Sequence, residues 1–301
     1  MKRFSIWYRA VFSLALLAFT AYALLDTFVI SRVYATVENQ AVDTAAAESA
    51  EPQALSGHTE PQISETSYQN GDISIRIDSY RVCDTNVYVA SILANSPETL
   101  QTAFSQSSYG RNITAATSDT AAAVGAILAV NGDNYGSRET GYVIRNGVLY
   151  RSAAAKDQED LVVWADGSFS IVREDEVTAQ ELLEAGAVQV FSFGPGLLEN
   201  GAVTVGRTDE VDRAMASNPR TAVGILEEGH YVLVVSDGRS SESEGLSLYE
   251  LAEFLQSLGV QTAYNLDGGG SSTMVFLGRV VNNPTNGRSS GERAVTDILY
   301  L

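Results

Sequence analysis

Charge and hydrophobicity divide the chain into three stretches before any motif is considered. Residues 10–25 carry no charged side chain, Asp26 interrupts the apolar run, and 27–30 extend it. The 21 positions from 10 to 30 suffice to cross a bilayer with the acid near the exit. Lys2, Arg3 and Arg9 in the flank 1–9 should hold that end in the cytoplasm and leave the remainder outside it. Ala21-Tyr22-Ala23 also suits a signal peptidase, so two readings stand: a signal anchor kept in the membrane, or a signal peptide removed on secretion. Residues 31–70 form the second stretch. From 36 onward it holds Glu38, Asp43, Glu48, Glu51, Glu60 and Glu65 but neither Lys nor Arg. So polar a segment buries too little apolar surface to offset its ordering entropy, and a disordered acidic linker is predicted.

From 71 the pattern becomes that of a folded domain. Ile73, Ile75 and Ile77 alternate with polar residues as on a half-buried strand, and 86–93 reads as a buried one. Residues 117–125 predict a short helix opened by Thr117, Ser118 and Asp119. Asn146-Gly147 and Asp166-Gly167 each separate two β-rich runs, predicting hairpins with two-residue turns at positive φ. Thr178 with Glu181, and Ser247 with Glu250, have capping-box spacing. After Ser247, Leu248, Leu251, Phe254, Leu255 and Leu258 share one helical face, and Gly259 stops the helix. Further strands are predicted at 187–193, 221–226, 231–236, 261–266, 272–277 and 294–301. About ten strands against three or four helices describe a single α+β domain over 71–301. Its core should be a mixed, mostly antiparallel sheet, with a helical crossover leading into 261–266.

Composition removes several function classes. A net charge of −18 offers no basic patch for a phosphate backbone, so nucleic acid is not expected as a partner. Small anions stay compatible, because a few local arginines and amides define such a site. The one cysteine, Cys83, forms no internal disulfide and no thiolate metal centre, and reads as a small buried strand residue. The two histidines are His58 in a polar stretch and His230 at a predicted hairpin turn. Neither suits a catalytic base, which argues against Cys-His and Ser-His-Asp chemistry and against a histidine zinc site.

The segment with the strongest chemical signal is Asn265-Leu266-Asp267-Gly268-Gly269-Gly270-Ser271-Ser272-Thr273-Met274. A carboxylate ends a predicted strand and three glycines follow. Glycines permit conformations closed to other residues and let a ligand approach the backbone, where successive N–H groups can converge on an anion. Ser271, Ser272 and Thr273 add hydroxyls. No Lys follows as in a Walker loop, and the spacing is not that of a nucleophile elbow.

With six further segments, this one makes the chain resemble the phosphodiester glycosidase domain family over roughly 75–301. They are Ala129-Val130-Asn131-Gly132-Asp133-Asn134-Tyr135, Phe193-Gly194-Pro195, Asn218-Pro219-Arg220-Thr221-Ala222, Ser236-Asp237-Gly238-Arg239, Gly245-Leu246-Ser247-Leu248 continuing to Glu250-Leu251-Ala252, and Glu292-Arg293-Ala294-Val295. The resemblance implies an extracytoplasmic hydrolase that cleaves a sugar–O–phosphate diester at the anomeric carbon, in an envelope or secreted glycan. Alternatives are a non-catalytic module that binds glycan phosphates in polysaccharide assembly, and a metal-dependent phosphodiesterase that cuts the P–O bond.

That chemistry needs donors for phosphate, polar groups for sugar hydroxyls and a carboxylate at the reacting centre. Phosphate leaves as a stable anion, so one dominant carboxylate can suffice where glycosidases otherwise use two. Asp267 is the first candidate, Asp237 the second and Asp133 the third. Arg220, Arg239 and Arg293 are the candidate phosphate clamps, since a guanidinium can hold two phosphate oxygens. Asn131, Asn134, Asn265, Gly268, Gly269, Gly270, Ser271, Ser272 and Thr273 complete the expected substrate contacts, with Tyr135 as a sugar-stacking platform. Asn131, Asp133, Asn134 and Asp267 are oxygen donors of the kind calcium or magnesium takes, although no contiguous loop has metal-ligand spacing. Glu250 is explained by its cap.

Overall fold

A computed structural model describes residues 2–37, 60–210, 217–287 and 289–301, with backbone alone for the first five of these. Most of the predicted linker, 38–59, lies outside the described residues. Helix α1 spans Lys2–Phe28. Its segment Trp7–Phe28, 22 residues with mean hydropathy 1.8, is long and apolar enough to cross a membrane and is not buried in the fold.

Sixteen strands position the site. They are β1 (Arg32–Thr36), β2 (Ile73–Val82), β3 (Thr85–Ala94), β4 (Gln101–Phe104), β5 (Ser108–Arg111), β6 (Leu128–Asn131), β7 (Val143–Arg145), β8 (Glu159–Trp164), β9 (Phe169–Arg173), β10 (Ala187–Phe191), β11 (Gly196–Glu199), β12 (Arg220–Glu227), β13 (His230–Ser236), β14 (Thr262–Leu266), β15 (Met274–Phe276) and β16 (Asp297–Tyr300). The helices after α1 are α2 (Thr117–Val124), α3 (Ala179–Glu184) and α4 (Leu248–Ser257).

A nine-stranded sheet carries the order β11-β14-β12-β13-β3-β2, extended by short strands at both edges. One five-stranded sheet contains β15-β6-β16-β4 and another β7-β10-β8-β9. All three contribute to one apolar core: Ile75, Ile92 and Val235 from the first, Leu128 and Leu299 from the second, Leu161 and Phe191 from the third. Along β13 the side chains alternate. Leu233 and Val235 face that core, whereas Val232 and Val234 face Leu248, Leu251 and Leu255 of α4. Burying each of those leucines stabilises the fold by about 1.5–3 kcal/mol. Both capping boxes form, so Glu181 and Glu250 serve their own helix starts.

The α4 crossover fixes the functional edge. β13 and β14 each run antiparallel to β12, which lies between them. The crossover therefore returns the chain in the same direction across one intervening strand, and every pairing among the described strands is antiparallel. As a result β13 and β14 end at one sheet edge, where β12 begins.

Four expectations change. Cys83 is exposed, not buried: Cys83 and Asp84, both at positive φ, form the turn between β2 and β3. Asn146-Gly147 forms its two-residue turn, but the second hairpin uses residues 165–168, with positive φ at Gly167 alone. Helix α2 has no side-chain cap from its own first residues; Glu292 supplies one from afar, accepting from Ser118 N at 3.0 Å. Finally, ordered structure starts before 71. β1 pairs with β5, and Gln62–Ile63 and Ser67–Gln69 extend the large sheet.

Candidate active site

Asp267 follows β14 at the edge where three sheets' loops meet. Its backbone is fixed on both sides: its N–H donates to Gly132 O at 3.3 Å, and Asn131 Nδ2 donates to its carbonyl at 2.6 Å. Asn131 Oδ1 in turn accepts from Thr221 Oγ1 and Thr273 N. The Asn131 amide is thus a buried knot that ties β6 to β12 and β14, and it positions Asp267 through the backbone.

The Asp267 side chain is 10% exposed. Its Oδ2 accepts from Arg293 Nη2 at 2.7 Å and from Ser271 Oγ at 2.6 Å. Arg293 also reaches Ser271 Oγ at 2.9 Å through Nε and at 2.6 Å through Nη2. Burial pushes the Asp267 carboxyl above its ordinary range, against the charge of Arg293, the bonds from Ser271 and Arg293, and the charge of Arg138. This buried carboxylate is held by a half-exposed cation that can transfer its hold to an arriving anion.

The glycines serve close approach more than an amide nest. An added Cβ at Gly268 would stand 2.8 Å from Pro219 O, and one at Gly269, where φ is +62°, would stand 2.9 Å from Arg239 Nη2. At Gly270 it would press on Arg293 at 3.3 Å. Three loop amides already have partners: Gly269 N donates to Pro219 O, Ser271 N to Gly268 O and Ser272 N to Gly269 O. The loop therefore lets Arg239 and Arg293 lie against its backbone. Arg239 is held by Asn218 Oδ1, at 2.9 Å from Nη2.

Other expected site residues go elsewhere. Arg220 is buried, donates to Leu246 O and pairs with Glu210, so it stands as a structural cation, not an open clamp. Asp237 is buried and accepts from Asn283 N at 2.8 Å, from Asn283 Nδ2 and from Tyr88 Oη. It borders a separate cleft of about 630 Å³ shared with Asn282, Thr285 and Glu292. Two strand spacings separate its backbone from that of Asp267, about 10 Å. Asp133 is fully buried and paired with Arg145 at 2.8 Å; it also accepts from Tyr135 N and Ser192 N. Tyr135 is 1% exposed and packs among Phe104 and Tyr109, so it offers no platform to a sugar. Asn134, at φ 58°, heads the turn 135–137.

Asn265 donates to Gly194 O, but its Oδ1, with Ser272 Oγ and Thr273 Oγ1, has no hydrogen-bond partner among the described residues. Of the oxygen donors suggested for calcium or magnesium, Asp267 is held by Arg293 and Ser271. Asn131 and Asp133 are engaged as described, and no cluster of three acids, histidines or cysteines of metal-binding geometry occurs among the described residues.

Sequence reading missed Arg138 and the role of Phe193. The Arg138 guanidinium lies 5.0 Å over the Phe193 ring, donates to Ser192 O and acts on Asp267 by its charge. Arg138 follows the turn after β6 and Phe193 follows β10, so their meeting is a product of tertiary packing. Phe193 did stand in a quoted motif; Arg138 carried no local signal.

The chain is similar to known proteins. A family model described as phosphodiester glycosidase matches residues 124–301. The SPbeta prophage-derived uncharacterized protein YomE of Bacillus subtilis is 32% identical over 180 residues, covering 58% of this chain and 28% of that protein. N-acetylglucosamine-1-phosphodiester alpha-N-acetylglucosaminidase of Mus musculus is 30% identical over 185 residues, covering 56% of this chain and 35% of that one. The chain thus spans about a third of the length of these curated relatives. The fold is shared with the solved catalytic domain of the zebrafish enzyme of the same name, auto-inhibited by its pro-peptide. That match has TM-score 0.60 at 23% identity and covers 91% of this chain and 96% of that one. A hypothetical protein from Synechocystis aligns with TM-score 0.59 at 15% identity, over 76% of this chain and 62% of its own. With the family model spanning more than half of its length, this chain belongs to the phosphodiester glycosidase family.

Proposed function

We propose that the protein hydrolyses the glycosidic bond of a sugar-1-phosphodiester, with Asp267 as nucleophile or general base. The observation that carries this reading is the buried Asp267 carboxylate with raised pKa, hydrogen-bonded to Arg293 and Ser271 beside Arg138 and Arg239. A bound phosphodiester competes for Arg293. As Arg293 turns toward phosphate its hold on Asp267 weakens, and the carboxylate gains basicity at the moment the anomeric carbon arrives. Arg293, with Arg138 and Arg239 nearby, then stabilises the phosphate as it departs. Water adds across the bond: hydroxyl goes to the anomeric carbon, the electron pair of the broken C–O bond stays on phosphate, and the remaining proton of the water passes through Asp267 to solvent.

The relatives named for N-acetylglucosamine-1-phosphodiesters make that sugar the first to test. α1, with Lys2, Arg3 and Arg9 at its N-terminal end, supports a span with the domain on the extracytoplasmic side, acting on an envelope or secreted glycan. The experiment is turnover of N-acetylglucosamine-1-phosphodiesters in ¹⁸O-water by the full chain. Label in the sugar is the expected outcome. Label in the phosphate would mean P–O cleavage, and binding without turnover would mean a non-catalytic module.

A further inference from the structure

The apolar helix does not lead into a free tether. α1 closes at Phe28 and β1 opens at Arg32. At this junction Asn112 Nδ2 donates to the carbonyls of Thr27, in the last turn of α1, at 3.3 Å and of Ile30 at 3.0 Å, while Ser31 Oγ donates to Asn112 O at 2.9 Å. β1 then pairs with β5, placing Arg32 opposite Arg111 and Val33 opposite Gly110. Gly110 makes this approach possible: a Cβ there would stand 2.0 Å from Arg32 O. The three connecting residues reach at most about 10 Å even when extended.

Strand register places this junction at the Asp267 end of the molecule. Asn131, which holds Asp267, lies opposite Ile298, and Asp297 lies opposite Phe104 at the end of β4. β5 leaves from that end after residues 105–107. Gly110 N donates to Tyr135 Oη at 3.4 Å, and Arg111 pairs with Glu139 at 3.2 Å. Glu139 adjoins Arg138, whose charge acts on Asp267. Val29, Ile30, Val33 and Tyr34 are all exposed at the junction. That continues the apolar surface of the helix onto the domain and suits the headgroup zone, where tyrosine is favoured.

We propose that α1 seats the mouth of the Asp267 site on the bilayer surface, and that the substrate is a sugar-1-phosphodiester whose second phosphate ester is a membrane lipid. This rests on reading α1 as a retained span and Asp267 as the reacting carboxylate. The phosphate then meets Arg293 and Arg138 at headgroup depth, the sugar leaves with the hydroxyl of water on its anomeric carbon, and the lipid keeps the phosphomonoester.

The test uses the full chain in liposomes and two substrates with the same sugar-1-phosphate, one esterified to a long-chain prenyl alcohol and one to methanol. A variant with ten Gly/Ser residues inserted between Phe28 and Val29 frees the domain by about 17 Å. The insertion is expected to lower the rate on the prenyl ester at least tenfold and leave the methyl ester unchanged. No loss, or equal loss on both, overturns the proposal. A second readout is independent of turnover. A fluorophore at Glu139→Cys, in a Cys83→Ser background, should be quenched by headgroup-labelled lipid. One at Glu228→Cys should not, because β12 carries that turn about 25 Å from the site edge. Equal quenching at both positions overturns the seating. If neither ester is hydrolysed while 139 alone is quenched, the seating stands and the hydrolase reading fails.

Discussion

Two of the molecule's arginine–carboxylate constellations differ in what surrounds them. Arg145 sits between Asp133 and Asp297 at 2.8 and 2.9 Å, with all three side chains at most 2% exposed. Arg293 pairs with Asp267 at 2.7 Å, with its side chain 42% exposed and that of Asp267 10%. A sealed cation between two acids has no route to a ligand, and removing it would strand two buried charges. A half-exposed cation on one buried acid has a route to an incoming anion that the sealed cation lacks. Burial, more than residue type, separates the structural pair from the candidate catalytic one.

The sharpest way to break this comparison is Asp267→Asn. It should lower kcat by about a thousandfold, the middle of the range for a lost acid–base group, with circular dichroism unchanged. Arg145→Met should do the opposite. It is expected to cost about 3–5 kcal/mol in urea unfolding, because Asp133 and Asp297 lose their shared cation. Unchanged stability with lost turnover would reverse the roles of the two constellations. Arg293→Gln should lower kcat/KM about tenfold to a hundredfold and cost less unfolding free energy than Arg145→Met, because it leaves one buried carboxylate without its cation instead of two.

The pH profile sharpens the same contrast. Asp267 must be ionised to act, and its pKa is raised, so the acid limb of kcat/KM should lie above the ordinary aspartate value of about 3.9. Arg293 opposes that rise, so Arg293→Gln should move the limb higher still. A limb in the ordinary range for both proteins would remove Asp267 from the mechanism.

A smaller effect is expected at Asp160, which is fully buried and faces Glu174. Burial first, and the neighbouring Glu174 charge second, raise its carboxyl well above the usual range. The native state therefore holds a proton that the unfolded chain loses. This stabilising contribution is complete below the unfolded pKa and fades as pH rises through the folded one. Asp160→Asn keeps the side chain neutral. Its unfolding free energy relative to wild type should grow from pH 5 to pH 8, and a constant difference would show that Asp160 does not titrate there.

Local signals were enough for part of this protein. The apolar period and Ser247–Glu250 box of α4, the Asn146-Gly147 turn and the strand ending at Leu266 each depend on neighbours within a few residues, and each can be read along the chain. Asp267 was legible for the same reason: a carboxylate between a strand end and three glycines declares a constrained loop. Asp133 carries a similar local signal, since it also follows a strand, yet packing seals it under Arg145. Tyr135 reads as a sugar-stacking platform but lies buried, because aromatic character says nothing about which side of a loop meets the next sheet.

What the sequence determined by itself was the α+β class, the apolar N-terminal helix, the capped helices and the identity of the reacting-carboxylate candidate, since these follow from periodicity and short-range hydrogen bonding. The tertiary structure decided which arginines stay exposed, that Arg138 lies over Phe193, and that the segment after the apolar helix pairs with β5. Those facts come from contacts between residues distant along the chain. They depend on strand register and burial, which no short window of residues encodes.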